Sequence, residues 1–182
     1  QQIPTMQSID VLEKVIYMNT FSKSLASTIR ISYMILPKHL MNRFFTDFSF
    51  YSCTVSTFEQ YTLAKFIQVG YFEKHLNRMR NHYHAKRDSI IAAIKNSSLG
   101  SISTISEADS GLHFLLKIDT DLSDEDICKL AEEKDIKLPP LSLYYKDNVI
   151  PEALKHTFLI NYSSLTSENM GAVAEQIYGL IK

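Results

Sequence analysis

The sequence predicts an α/β fold, and three observations carry that expectation. Val15-Ile16-Tyr17-Met18 and the run from Ile31 to Leu36 are β-branched and apolar, and they read as two buried strands flanking a polar stretch. Phe72, Leu76, Met79, Tyr83, Ile90 and Ile94 then recur at helical spacing, interrupted where Arg87 fills one turn. Such a helix, of about 24 residues, is about 36 Å long. Beyond it the order strand, helix, extended segment, strand, helix predicts a lobe with a sheet packed against helices.

Between the two early strands and the long helix, Lys38 to Phe45 reads as a short helix with Pro37 at its start. The aromatics from Phe44 to Tyr51 lack a basic groove that would let them stack bases, so they read as buried packing or a subunit contact. Ser56-Thr57-Phe58-Glu59 has capping-box spacing, and Phe58, Tyr61, Ala64 and Ile67 form a stripe that stops at Gly70. Past the long helix, Ile102 to Ile105 is a short edge strand. Leu112, Phe114, Leu116 and Ile118 alternate onto one face of a half-buried strand, leaving His113 on the other. Ser123 caps a helix buried through Ile127, Leu130 and Ala131. Pro139-Pro140 keeps Ile136 to Tyr145 extended, Thr157 to Tyr162 is the last strand, and Met170, Val173, Ala174, Ile177 and Ile181 stripe the closing helix.

Composition narrows the function classes. Acids and bases nearly balance over 182 residues, for a formal charge of −1, which argues against a nucleic-acid module. The sequence contains no run of about 18 apolar residues, so no membrane span is expected. The opening Gln1-Gln2-Ile3-Pro4 lacks the layout of a signal peptide, and Cys53 and Cys128 lack CxxC spacing, as suits reduced thiols in a cytoplasmic protein. His75, His82 and His84 share a helix without an i, i+4 pair that would chelate a metal. They and the neighbouring Lys74, Arg78, Arg80, Lys86 and Arg87 read as its solvated side.

Thr20-Phe21-Ser22-Lys23 and Arg30 carry the candidate chemistry. A lysine amine serves as a carbonyl nucleophile when its surroundings lower its pKa, and Arg30 is a cation placed to do so. Thr20, Ser22 and Arg30 together offer hydroxyls and a guanidinium to a phosphate. An amine beside such a cluster fits pyridoxal phosphate, the aldehyde meeting Lys23 and the phosphate Thr20 and Arg30. The alternative is a surface lysine in a Ser/Thr-rich turn.

The longer string, Thr20-Phe21-Ser22-Lys23-Ser24-Leu25 through Arg30-Ile31-Ser32-Tyr33, resembles the Schiff-base lysine segment of fold-type I pyridoxal-phosphate enzymes. Most similar in pattern is the aminotransferase-like domain of MocR-type regulators of the GntR superfamily, which the segment Phe72-Glu73-Lys74-His75-Leu76-Asn77-Arg78-Met79-Arg80 also resembles. The resemblance implies Lys23 as the cofactor lysine and Thr20, Ser22 and Arg30 as cofactor-binding residues. It further implies a homodimer, an amine or amino-acid effector, and DNA contact only through a domain outside this chain. It covers the chain as the C-terminal portion of such proteins: residues 1–70 as the end of the large cofactor-binding domain, 71–95 as an interdomain helix, and 96–182 as the small α/β domain. Ser27, Thr28 and Ser32 depart from the proline and glycines of the pattern, a change tolerable where the turn needs no positive φ.

In transaminases of the resembled fold an arginine on the last strand takes the substrate carboxylate. Leu159, in Leu159-Ile160-Asn161-Tyr162-Ser163, stands in its place. Leucine offers no charged fork, which favours an effector sensor over an efficient amino-acid aminotransferase of the aminoadipate or aromatic type. A third reading is an α/β interaction module without cofactor.

Overall fold

The computed structural model describes residues 4–109 and 111–182. The chain divides into two units, one up to Met79 and one of Arg80–Lys182, the division falling inside a helix.

In the first unit, β1 (Tyr17–Thr20) and β2 (Ser32–Ile35) pair antiparallel, Tyr17 opposite Ile35 and Thr20 opposite Ser32. They are followed by α1 (Lys38–Asp47), α2 (Thr57–Gln68) and the start of α3 (Tyr71–Lys95). β2 falls where the sequence puts it, β1 starts two residues later than Val15 and takes in Thr20, and neither strand is buried. Met18 is 71% exposed and all four residues of β2 face solvent. A continuous apolar run suits a strand covered on both faces, whereas this hairpin stands as a two-stranded sheet among the described residues.

The capping box of α2 forms as read: Ser56 Oγ accepts the Glu59 N–H at 3.2 Å and donates to its carboxylate at 3.0 Å. Gly70, at φ +77°, ends the helix in the left-handed conformation that only glycine adopts without strain. The expected stripe is wrong in direction, because Phe58 and Tyr61 are 79% and 73% exposed while Leu63 and Phe66 turn inward. Apolar residues occupy most of the circumference of α2, so helical spacing alone selects two faces equally well. The aromatics from Phe44 to Tyr51 stack on one another, Phe44 on Phe48 at 5.7 Å, but none of Phe44, Phe45, Phe48, Phe50 and Tyr51 is buried.

The second unit holds the core. β3 (Ser103–Ser106), β4 (His113–Ile118) and β5 (Thr157–Asn161) form an antiparallel sheet in that order, with Ile105 opposite Leu116 and Leu116 opposite Phe158. Phe114, Leu116, Ile118 and Phe158 are sealed beneath Ile90 and Ile94 of α3, Ile127 and Ala131 of α4 (Asp124–Glu132), and Met170, Ala174 and Ile177 of α5 (Ser167–Ile181). Ser123 and Thr166 cap the last two helices through their hydroxyls. The closing-helix stripe is therefore a core face, as its spacing predicts, and so is the part of the long-helix stripe at Tyr83, Ile90 and Ile94.

Three local readings change. Leu112 precedes β4 and is exposed, its carbonyl accepting the Tyr162 N–H at 3.0 Å. Pro140 does bridge Phe158, but Leu141–Tyr144 closes into a single 3-10 turn rather than staying extended. On α3, Lys86 and Arg87 are not solvated, because each reaches a backbone carbonyl, and His75 has a buried Nε2 without a hydrogen-bond partner among the described residues. His82 and His84 are exposed as expected. No described helix is long and apolar enough to cross a membrane.

Truncating Phe158, which is fully buried at the centre of this core, to alanine is expected to cost about 3–5 kcal/mol, read as a lowered midpoint in urea. Leu143→Ala, at an exposed position, is expected to stay within about 0.5 kcal/mol. Burial raises the Tyr162 hydroxyl above the ordinary tyrosine range. Its ionisation is thus easier in the unfolded chain, so its contribution is whole below about pH 10 and is lost as pH rises through the folded value. Tyr162→Phe is expected to flatten the alkaline fall in stability measured from pH 9 to 12.

Candidate active site

The 21–31 connection between β1 and β2 places the residues that the sequence singles out. The ladder runs one step past the strands, with the Phe21 N–H donating to the Ile31 carbonyl at 2.9 Å. Ser24 and Leu25 donate to the Phe21 carbonyl at 3.2 and 2.8 Å, closing a turn around Lys23. Farther along, the Ile29 N–H donates to Ala26 at 3.0 Å and turns the chain back towards β2.

Hydroxyls fasten the two arms of this connection. Thr20 Oγ1 lies 3.2 Å from the Ile31 carbonyl and 3.2 Å from Ser22 Oγ, and it accepts the Ser22 N–H at 3.3 Å. Ser22 Oγ donates to the Ile29 carbonyl at 2.8 Å and receives Arg30 Nη1 at 3.4 Å. Thr20, Ser22 and Arg30 are thus one connected cluster. Lys23 follows Ser22 directly and is exposed. The guanidinium of Arg30, read from the sequence as the cation acting on Lys23, is bonded to the Ser22 hydroxyl instead.

This donor set fits a phosphate. A serine or threonine hydroxyl rotates to offer its hydrogen to a new acceptor, and Arg30 commits one of its five donors to Ser22. Lys23, next in sequence to Ser22, is exposed, which leaves its amine open to an aldehyde. None of Ser27, Thr28 and Ser32 lies at positive φ, so the turn accepts them in place of proline and glycine without backbone strain.

Sequence reasoning passed over Phe21. Its ring packs against Tyr33 at 5.4 Å and edge-on to Phe72 at 5.8 Å, which anchors the turn's first residue from outside the loop. The signal was present: Phe21 lies one step past Thr20, on the same face of the hairpin as Asn19 and its partner Tyr33. Behind the loop lies an apolar cavity of about 260 Å³, walled by Leu25, Ile29, Ile31, Leu63 and Phe66.

In the second unit, Leu159 is half-buried opposite Leu115, its N–H bonded to the Pro139 carbonyl at 3.0 Å. His113 is exposed at the start of β4, opposite Asn161. Among the described residues no group of three His, Cys, Asp or Glu side chains is placed to hold a metal ion.

No protein-family model matches the chain. It is similar to the uncharacterized HTH-type transcriptional regulator YdeL of Bacillus subtilis, at 40% identity over 80% of this chain and 31% of YdeL. The probable rhizopine catabolism regulatory protein MocR of Rhizobium meliloti is 35% identical over 77% of this chain and 28% of its own length. The mitochondrial kynurenine/alpha-aminoadipate aminotransferase of Bos taurus is 29% identical over 98% of this chain and 42% of that enzyme. Among solved structures, the Pyrococcus horikoshii kynurenine aminotransferase superposes with a TM-score of 0.73 at 21% identity, over 96% of this chain and 42% of that one. The chain therefore spans about a third of the regulators it matches. In sequence it belongs to the MocR-type, aminotransferase-like family, and in fold it has the architecture of the C-terminal portion of a fold-type I aminotransferase.

Proposed function

We propose that this chain is the cofactor-bearing, effector-sensing part of a MocR-type transcription regulator. The observation that carries the reading is the Thr20, Ser22 and Arg30 cluster, whose central Ser22 immediately precedes the exposed Lys23. Pyridoxal phosphate, when bound there, supplies a carbonyl that exchanges between Lys23 and an incoming primary amine. Arg30 and the two hydroxyls would hold its phosphate, and Lys23, in the turn closed on the Phe21 carbonyl, would offer the amine. Whether the Lys23 amine is held or free would then report an incoming amine, the local event from which a change of state would start.

Around this core reading stand coarser parts. Residues 1–70 belong to the large domain, 71–95 to the interdomain helix and 96–182 to the small domain. The protein is a cytoplasmic homodimer with the exposed aromatics from Phe44 to Tyr51 as a contact, and DNA is touched by a domain outside this chain. A second reading, a catalytic aminotransferase, is favoured by the similarity to the Bos taurus enzyme over 98% of this chain. Leu159 counts against it, because an apolar side chain cannot supply a carboxylate fork.

The test is an absorbance titration with pyridoxal phosphate on this chain and on a chain extended to the regulators' full length. A visible Schiff-base band that disappears in Lys23→Ala is expected. Arg30→Ala is expected to weaken cofactor binding about ten- to hundredfold, the worth of one hydrogen bond to a charged group. A band that survives loss of Lys23, or no band in the extended chain, sinks the reading. Adding amino acids to the loaded protein separates the two functions, since only an aminotransferase accumulates keto acid.

A further inference from the structure

At one end of the three-stranded sheet, three side chains outside the strands donate to three backbone carbonyls. Lys86 Nζ reaches the Ser163 carbonyl at 2.6 Å, just past β5. Arg87 Nη1 reaches the Ala108 carbonyl at 2.9 Å, in the connection from β3 to β4, and its other nitrogens pair with Asp88. Tyr162 Oη donates to the Gly111 carbonyl at 2.7 Å in that same connection. Consecutive helical residues point about 100° apart, so a single turn of α3 reaches both loops.

These are not surface ornaments. The Arg87 side chain is only 17% exposed, and a cation that deep stays charged at acceptable cost only when bonded to polar groups. The carbonyls of Ala108 and Ser163 lie outside the ladder, so these donors replace the strand partners that the loops lack. The two loops lead into and out of the His113 and Asn161 pair.

We propose that Lys86 and Arg87, with Tyr162, are positioning residues that make the backbone at Ala108, Gly111 and Ser163 move with α3, so that a displacement of the helix is passed directly to the ends of β4 and β5. The inference is independent of any cofactor, and its failure leaves the reading of Lys23 untouched.

Hydrogen exchange measured by mass spectrometry on the full chain tests it. Arg87→Met and Lys86→Met are each expected to speed exchange about ten- to hundredfold at the Tyr162 amide, which bonds the Leu112 carbonyl across the two loops, with β4 amides from Phe114 to Ile118 unchanged. Lys86→Arg should keep that amide protected. Ala85→Gly, at an exposed α3 position, should speed its exchange too, and should add nothing further in the Lys86→Met, Arg87→Met double variant. An unchanged Tyr162 amide, equal acceleration across the whole unit, or strictly additive effects of Ala85→Gly would each overturn the proposal.

Discussion

Ile31 is the pivot on which the candidate site hangs. Its carbonyl takes two hydrogen bonds, from the Phe21 N–H at 2.9 Å and from the Thr20 hydroxyl at 3.2 Å, while its side chain is buried against the apolar cavity behind the loop. Side chains alternate along a strand, so a slip of one residue would send Thr20 and Ser32 to the opposite face. The double acceptance at Ile31 opposes that slip. It also brings Arg30 back to Ser22 across the whole connection. Guanidinium and hydroxyls meet because one backbone oxygen is satisfied twice.

That arrangement explains why the loop tolerates an unusual local sequence. Proline and glycine shape a turn by restricting or releasing φ, and a chain can dispense with both where other bonds already define the path. Here the path is defined by the Ser22 hydroxyl on Ile29 and by the turn closed on Phe21, and every residue from Ser24 to Ser32 keeps an ordinary negative φ. Side-chain hydrogen bonds have taken over a task that backbone restriction performs in the resembled pattern.

Much of this was legible in the residues. Caps were read correctly at Ser56 and Ser123 because a hydroxyl followed by an acceptor or donor three residues on is a local signal that needs no tertiary context. Strand alternation at Phe114, Leu116 and Ile118, and the stripe ending at Ile90 and Ile94, were legible for the same reason. What failed was the choice of face where apolar residues surround an element, as on α2, and the fate of cations whose long stems can cover apolar surface before bonding. Lys86 and Arg87 look like any wet pair in sequence; only their distant partners, Ser163 and Ala108, make them internal. At the site, the grouping of Thr20, Ser22 and Arg30 was readable, and so was the face that Phe21 shares with Tyr33, but its contact with Phe72, distant in sequence on α3, has no local signal.

The exposed hairpin of β1 and β2 also governs how the chain behaves as a material. Among the described residues both of its edges carry unpaired backbone groups, and Met18, Met34 and Ile35 lie open beside them. Open apolar edges are templates for pairing between molecules, and a net charge of −1 supplies almost no repulsion to keep copies apart. In concentrated solution, colloidal stability is therefore limited by this hairpin rather than by the well-packed second unit. Added salt, which screens charge, leaves that attraction in place.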